Sequence, residues 1–272
     1  YLLGGFTQLR NGSAFTSDGK FGGGGGVSYS FPVSRYWSIV GGLELLYYHS
    51  VAKADALTSS SYKTYNEYDH IEPFYYNSTI NDYAEQQHIT YLQIPLTMRY
   101  KIQAFGKHKF YAEGGIKAGY SIIANYSSVI PHIVTSGYFP ETEEVLDDMP
   151  THGFGHYYDL SSEGSMTIKT GNLALTLETG LRWRLTYAIS LYTGIFFDYG
   201  FLEIGSRRSN ANPPMVSLNE RNPDFTFRSI LASRHQLSDE AYVDRLGTLA
   251  VGLKVSISFS GLFKKSLVCD CP

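Results

Sequence analysis

Nine ionisable side chains recur at alternate positions of strand-like segments: Glu44, Arg99, Lys101, Glu113, Lys117, Glu178, Arg182, Arg184 and Lys254. Neighbouring side chains on a strand point to opposite faces, so these nine share the polar face of the sheet that holds them. Carboxylates and cations gathered on an enclosed face can do one of two things. They can neutralise one another as a packed ionic plug, because an unpaired buried ion costs several kcal/mol. They can also line a narrow ion path or gate. The lumen of an eight-stranded ring is only wide enough for its own side chains, which favours the plug.

Other residues raise other chemistries. His49 and His88 fall near strand ends, with Ser50, Asp69 and Glu85 close by in sequence. A His with a carboxylate or Ser at a barrel rim is what lipid A modification or proteolysis would require. The other histidines named here, His132, His152, His156 and His235, fall in connections without metal or triad spacing. The expectation is therefore no catalytic residue, no metal and no cofactor, in a chain that is not an enzyme. Gly22 to Gly26 invites a phosphate-loop reading, but no Lys-Ser/Thr comes after it. Glycines in a strand more readily leave room in a lumen or let a sheet bend. Cys269 and Cys271 are the only cysteines and both lie near the end of the sequence, so neither can staple the body. A disulfide between them would be strained. A pairing with cysteines beyond Pro272, or a free pair, stays open.

The elements that must position these groups are legible as alternation. Leu173, Leu175, Leu177, Leu181, Trp183 and Leu185 point one way, while Asn172, Thr176, Glu178, Gly180, Arg182 and Arg184 point the other. Eight such segments occur, at about 1–9, 21–31, 37–51, 89–103, 109–126, 173–185, 187–202 and 246–260. The joins at 32–36, 104–108 and around Thr186 are short. The connections 10–20, 52–88, 127–171 and 203–245 are longer, and three of them exceed 30 residues, abnormal for a compact soluble domain. Short turns at one end and long loops at the other predict an eight-stranded antiparallel transmembrane β-barrel, with short periplasmic turns and long extracellular loops.

Aromatics sort by height in the same scheme. Trp37, Tyr100, Phe110, Trp183 and Phe259 fall near the short turns. Tyr47, Tyr91, Tyr126, Tyr199 and Phe201 fall near the long loops. Two such girdles mark membrane interfaces. A soluble lipocalin-like barrel would need another reason for outward Leu, Ile and Trp on every strand.

Composition agrees. The 272 residues suffice for one large β domain, and no apolar run reaches the length of a membrane helix. The mean hydropathy is slightly negative, which leaves a barrel open because alternation defeats window averages. A net charge of −3 gives no signature for nucleic acid. The numbering opens on Tyr1, which suggests a mature N-terminus after signal removal. The expected organisation is a barrel over 1–260 and a periplasmic exit segment over 261–272, with both termini periplasmic and the barrel in the bacterial outer membrane.

Tyr91-Leu92-Gln93-Ile94-Pro95-Leu96, with Met98-Arg99-Tyr100 next, resembles the strand pattern "Y-L-x-I-P-L-x-x-x-Y" of small outer-membrane β-barrels of Bacteroidota. These include PorT-like and OmpA-type barrels. Phe110-Tyr111-Ala112-Glu113-Gly114-Gly115 resembles the next strand of that family. The resemblance rests mainly on residues 91–126 and implies fold and location better than activity. In OmpA-type proteins a peptidoglycan-binding domain lies C-terminal to the barrel, and none is visible in these residues.

The long connections are the expected interaction surface. Residues 52–88 carry two lysines against six carboxylates and many tyrosines, and 127–171 carry one lysine against seven. Tyrosine with acid suits a protein- or cation-binding surface. The expected partners are outer-membrane lipids and other outer-membrane or periplasmic proteins, with peptidoglycan through a C-terminal domain beyond these residues. The expected role is a non-enzymatic accessory subunit of a larger outer-membrane complex or an envelope tether. A rim enzyme and a narrow channel are the alternatives.

Overall fold

Alternation of Leu, Ile, Val and Phe with small or charged residues builds one continuous antiparallel ring. The computed structural model describes residues 1–11, 16–67, 70–106, 108–166, 168–204, 214–218, 225–234, 242–243 and 245–260. Its strands are β1 (Leu2–Asn11), β2 (Thr16–Pro32), β3 (Trp37–Glu67), β4 (His70–Phe105), β5 (His108–Phe139), β6 (Glu144–Leu146), β7 (Gly155–Ser165), β8 (Gly171–Arg184), β9 (Ile189–Gly200), β10 (Val216–Leu218), β11 (Phe225–Phe227) and β12 (Leu246–Phe259). The ring runs β1-β2-β3-β4-β5-β8-β9-β12 and closes by antiparallel pairing of β12 with β1, from Leu2↔Val255 to Asn11↔Leu246. Closure leaves the ring without an edge.

The ring is inside-out. Leu253, Ile94 and Leu96 are 66%, 57% and 56% exposed on its outer face. The inward-facing Glu44, Gln93, Lys117 and Asp198 are buried. An apolar band encircling the barrel with ions inside it is the arrangement a bilayer selects. No helix among the described residues is long and apolar enough to cross a membrane, a test that does not bear on β-barrels.

Two of the connections read as long loops, 52–88 and 127–171, are largely sheet. β3 and β4 stay paired from Ala52↔Glu85 to Glu67↔His70, inside the stretch 52–88. β5 runs on to Phe139 and there exchanges partners: β8 pairs with its first part, and β7 and β6 with its second. A barrel strand needs roughly 9–11 residues to cross a bilayer, whereas β3 and β4 have 31 and 36. About 20 residues of each hairpin arm therefore stand clear of the apolar band. The inner face of this extension is built in part from Ser59, Ser61 and Ser78, so the sequence there lacks the apolar contrast that reveals a strand.

Two cores stack inside the molecule. The ionic one lies within the ring. Above it, Leu57, Phe74, Tyr76, Ile80, Ile130, Ile133 and Phe154 of the extension pack with Met215, Val216, Phe227, Ile230 and Leu231. The last five come from the connection between β9 and β12. Its described parts include the antiparallel pair β10–β11 and a 3₁₀ turn, η2 (Ile230–Ala232), capped by the Ser229 hydroxyl, which accepts from Leu231 N–H.

Candidate functional site

Inside the ring, β3, β5 and β9 converge on Lys117. Its ammonium donates at 2.7 Å to Glu44 Oε1 and at 2.7 Å to Asp198 Oδ2. The three side chains (Lys117, Glu44 and Asp198) are 4%, 0% and 1% exposed, so the pairing is dry. The Tyr1 hydroxyl donates to the other Glu44 oxygen (2.9 Å), and Thr176 Oγ1 donates to the other Asp198 oxygen (2.5 Å). Nearer the short turns, Arg99 Nε donates to Glu113 Oε2 at 2.5 Å, and Thr97 holds the second oxygen. Lys254 Nζ donates to Glu178 Oε2 (2.7 Å), and Tyr111 Oη to Glu178 Oε1 (2.7 Å). The Arg99 guanidinium also stacks over the Tyr192 and Tyr111 rings at 4.8 and 5.4 Å.

All eight oxygens of the four carboxylates therefore have a donor. A network satisfied at every member resists rearrangement. Removal of one partner would leave an uncompensated ion. The Tyr111 and Tyr192 rings and the hydroxyls of Tyr1, Thr97 and Thr176 stand among the ions.

Three of the nine charges expected in this layer lie elsewhere. Arg182 is half-buried, donates to Ser190 Oγ at 2.9 Å and lies over Tyr192. Arg184 is exposed against the Tyr187 ring. Lys101 is half-buried. All three sit on the correct face, but at the last turns of β8 and β4 the ring opens to solvent. They make a basic short-turn mouth instead of joining the plug. Conversely, Asp198, Tyr1 and Tyr111 complete the network although they were not among those nine. The signal for Asp198 was present: it is the acid between outward Phe197 and Tyr199.

The girdles need two corrections. Trp37 packs on Tyr100 with ring centroids 4.8 Å apart, and Trp183 Nε1 donates to Thr193 Oγ1. Phe110 and Phe259 are exposed at the same end, and Tyr47, Tyr199 and Phe201 at the other. Tyr91 and Tyr126 instead point inward. For Tyr91 the alternation with outward Leu92 dictates it. For Tyr126 the cause is a bulge: Thr90 pairs with Ile123 and Tyr91 with Ser121, so Ile122 is an extra residue that reverses the parity of β5.

The rim histidines stand apart from Ser50 and Glu85. His49 and His88 lie side by side on the outer face, with ring centroids 4.6 Å apart and Tyr47 Oη 2.5 Å from His88 Nδ1. Ser50 and Glu85 face inward, on the opposite side of the sheet. His132 and His156 pair at 3.1 Å on the outside of the extension. Asp69, His235, Cys269 and Cys271 lie outside the described residues, as does the segment 261–272. Among the described residues no group of three metal-capable side chains forms.

The mouth at the long-loop end is closed by a different device. Glu85 of β4 is fully buried, and every group bonded to it is neutral. Its Oε1 accepts from Gln87 Nε2 (2.8 Å) and Ser229 Oγ (2.9 Å). Its Oε2 accepts from Tyr83 Oη (2.7 Å) and the Ile230 backbone N–H (2.9 Å). One carboxylate thus ties η2 to the inner wall of the sheet. Tyr126 and Ser162 add bonds to the Phe227 carbonyl, and Tyr242 to that of Thr58.

Residues 3–137 match the outer membrane protein beta-barrel domain family, 135 of 272 residues and so just under half of the chain. The match covers β1 to β4 and most of β5, and it supports an outer-membrane β-barrel family and a place in the outer membrane. No curated protein and no solved structure matches the chain.

Proposed function

We propose that this outer-membrane barrel is a non-enzymatic interaction module, with its short turns and both termini in the periplasm and the extended β3–β4–β5–β7 sheet presented outside the cell. The observation that carries the reading is the length of the hairpin arms beyond the apolar band. A lone anchor has no need for a rigid sheet of that height, and loops of such size are where scaffolds place recognition. The wall of the extension exposes Tyr62 and Tyr158, and an acidic stretch of sequence around 141–148 borders it. Exposed tyrosine is a favoured anchor at protein interfaces. The plugged lumen argues against a channel, and the separation of Ser50 and Glu85 from the rim histidines argues against a hydrolase.

Within this reading, the resemblance to PorT-like and OmpA-type barrels of Bacteroidota favours an accessory subunit of a larger outer-membrane complex. An envelope tether acting through peptidoglycan is the second reading, and it requires a peptidoglycan-binding domain C-terminal to the barrel.

The test is purification of tagged native protein in mild detergent with mass spectrometry of co-purifying proteins. Beside it runs a variant in which Ala56 is joined to Asn81 by an Asn-Gly turn. The register pairs these two residues, so the ring below is untouched. The expected result is a stoichiometric set of partners with the full chain. With the shortened hairpin they should fall by more than about tenfold, the loss of a central interface patch, while the barrel keeps its heat-modifiable migration on gels. A clean monomer from the full chain, or unchanged partners with the shortened one, would overturn the proposal.

A further inference from the structure

The short-turn mouth of the ring gathers positive charge without an acid of its own. Residues 27–41, 98–112 and 179–192 form the three short joins and their flanking strand ends, and they contain Lys and Arg but no Asp or Glu. Lys101, Lys109, Arg182 and Arg184 lie on the lumen face of β4, β5 and β8 at this end. The lumen carboxylates next along these strands are Glu113 of β5 and Glu178 of β8. Both are engaged, Glu113 by Arg99 and Thr97, and Glu178 by Lys254 and Tyr111. Among the described residues no carboxylate pairs with Lys101, Lys109 or Arg182.

The register brings these cations together. Lys109 pairs directly with Arg182, and Gln103 with Lys109, so Lys101 lies one diagonal step from Lys109 on the neighbouring strand. Arg99 and Arg182 stand over the same Tyr192 ring, at 4.8 and 5.8 Å. The charges that act on the Lys101 ammonium are, in falling order, Arg99, Arg182 and Lys109, with Glu113 behind them. Like charges placed directly across a strand pair destabilise a sheet. Lys101, Lys109 and Arg182 are each half-buried, where water screens that repulsion less than on an open surface. Arg182 is held in place rather than loose. Its Nη2 donates to Ser190 Oγ at 2.9 Å, while its Nε is shut off from solvent and has no acceptor. A buried N–H left without an acceptor carries a desolvation penalty.

A bound anion relieves both costs at once, the repulsion and the orphaned donor. Three cations on neighbouring strands call for several acceptor oxygens and more than one negative charge. A carboxylate brings two oxygens and one charge. A terminal phosphate brings three strong acceptor oxygens and about −1.5 to −2 at pH 7. It is also the group that an arginine fork and a lysine point charge hold best together. We propose that the short-turn mouth of this barrel is a binding site for a terminal phosphate, free or as a monoester, held by Lys101, Lys109 and Arg182. Ser190 orients Arg182, and Arg184, against the Tyr187 ring, stands at the rim of the site. In the orientation proposed above this mouth opens on the periplasm, but the site does not depend on that orientation.

The test is calorimetric titration of the full chain, solubilised in a maltoside detergent, with inorganic phosphate, glycerol 3-phosphate and acetate at one ionic strength. Saturable binding of phosphate or glycerol phosphate at one site per chain is expected, and whichever binds tighter identifies the form taken. Arg182→Gln and Lys101→Met should each weaken it about tenfold or more, the loss of one charged hydrogen bond. Arg35→Gln should leave it unchanged, because Arg35 sits on the β2–β3 join against the Tyr36 ring and not in the lumen. No saturable binding of either phosphate, equally tight binding of acetate, or an equal loss in Arg35→Gln would overturn the proposal. If the lumen variants do not fold, the thermal midpoint of the native chain decides. At ten times its dissociation constant the phosphate should raise the midpoint by about 3 °C over acetate at equal ionic strength. Equal midpoints would overturn the proposal as well.

Discussion

Replacing Lys117 by methionine will destabilise the barrel by about 3–5 kcal/mol, the cost of breaking a buried pair and leaving its partner ions uncompensated. The methionine fills most of the same volume, so packing contributes little to the loss. What changes is that Glu44 and Asp198, within reach of one ammonium at 2.7 Å each, then face each other across a dry lumen. Tyr1 and Thr176 still donate to one oxygen of each, but hydroxyls do not neutralise charge. The measurement is the urea midpoint of refolding into lipid vesicles. The triple variant Lys117→Met/Glu44→Gln/Asp198→Asn separates charge from shape, because it restores neutrality in the same space and should recover most of the loss. A triple variant as unstable as the single one would show that the triad acts through geometry rather than charge balance.

Replacing Glu85 by alanine will release the connection between β9 and β12 from the mouth while leaving the ring intact. Four donors lose their acceptor at once, Tyr83 Oη and the Ile230 N–H among them. Hydrogen bonds to a buried charge are worth about 1.5–3 kcal/mol each. Because the four act on one group and are not additive, docking should weaken by about 3–5 kcal/mol. Amide exchange of Ile230 and Leu231 should speed up by more than about a hundredfold. Strand amides of the ring should be unaffected. Unchanged protection at Ile230 would mean that packing of Leu231 and Phe227 holds the segment without the carboxylate.

The same residue gives the docking a pH dependence of definite sign. Burial raises the Glu85 carboxyl above its ordinary value of 4.5, and its hydrogen-bond donors only partly offset this. A pKa higher in the docked state than in the released one means that docking binds protons. The contribution is fully present below pH 4.5 and is lost as pH rises through the raised value. Glu85→Gln keeps the shape and cannot titrate. The difference between native and Glu85→Gln protection at Ile230 should therefore change across that window and be flat above it.

How far the sequence reveals all this depends on what each segment buries. Where one face meets lipid, as from Leu92 to Met98, the alternation of large apolar with polar residues states both the strand and its facing, and with it the inward set Glu44, Glu113 and Lys117. Where a strand stands outside the apolar band the contrast fades. Ser59, Ser61 and Ser78 face a core as surely as Leu46 does, yet nothing in their identity distinguishes them from loop residues. Parity is the other blind spot. A single extra residue at Ile122 turns Tyr126 from the lipid side to the core, and a bulge has no reliable mark in one sequence. The Glu85 latch was the least visible part. It joins β4 to Ser229 and Ile230, 144 and 145 positions away, and a lone glutamate in a polar stretch reads as a solvated one.

The pairing of β1 with β12 also governs the order in which the molecule can come into being. Leu2 meets Val255, so the seam joins the strand of the ring that is synthesised first to the one that is synthesised last. Until β12 exists, β1 offers its open edge to any other strand in reach, a hazard that grows with the time the chain waits. The seam also has the largest loop to close, which makes it the natural late step of assembly. The final strand is therefore the one that turns a curved sheet into a vessel. A chain truncated before Leu246 should keep every other register and still have no inside.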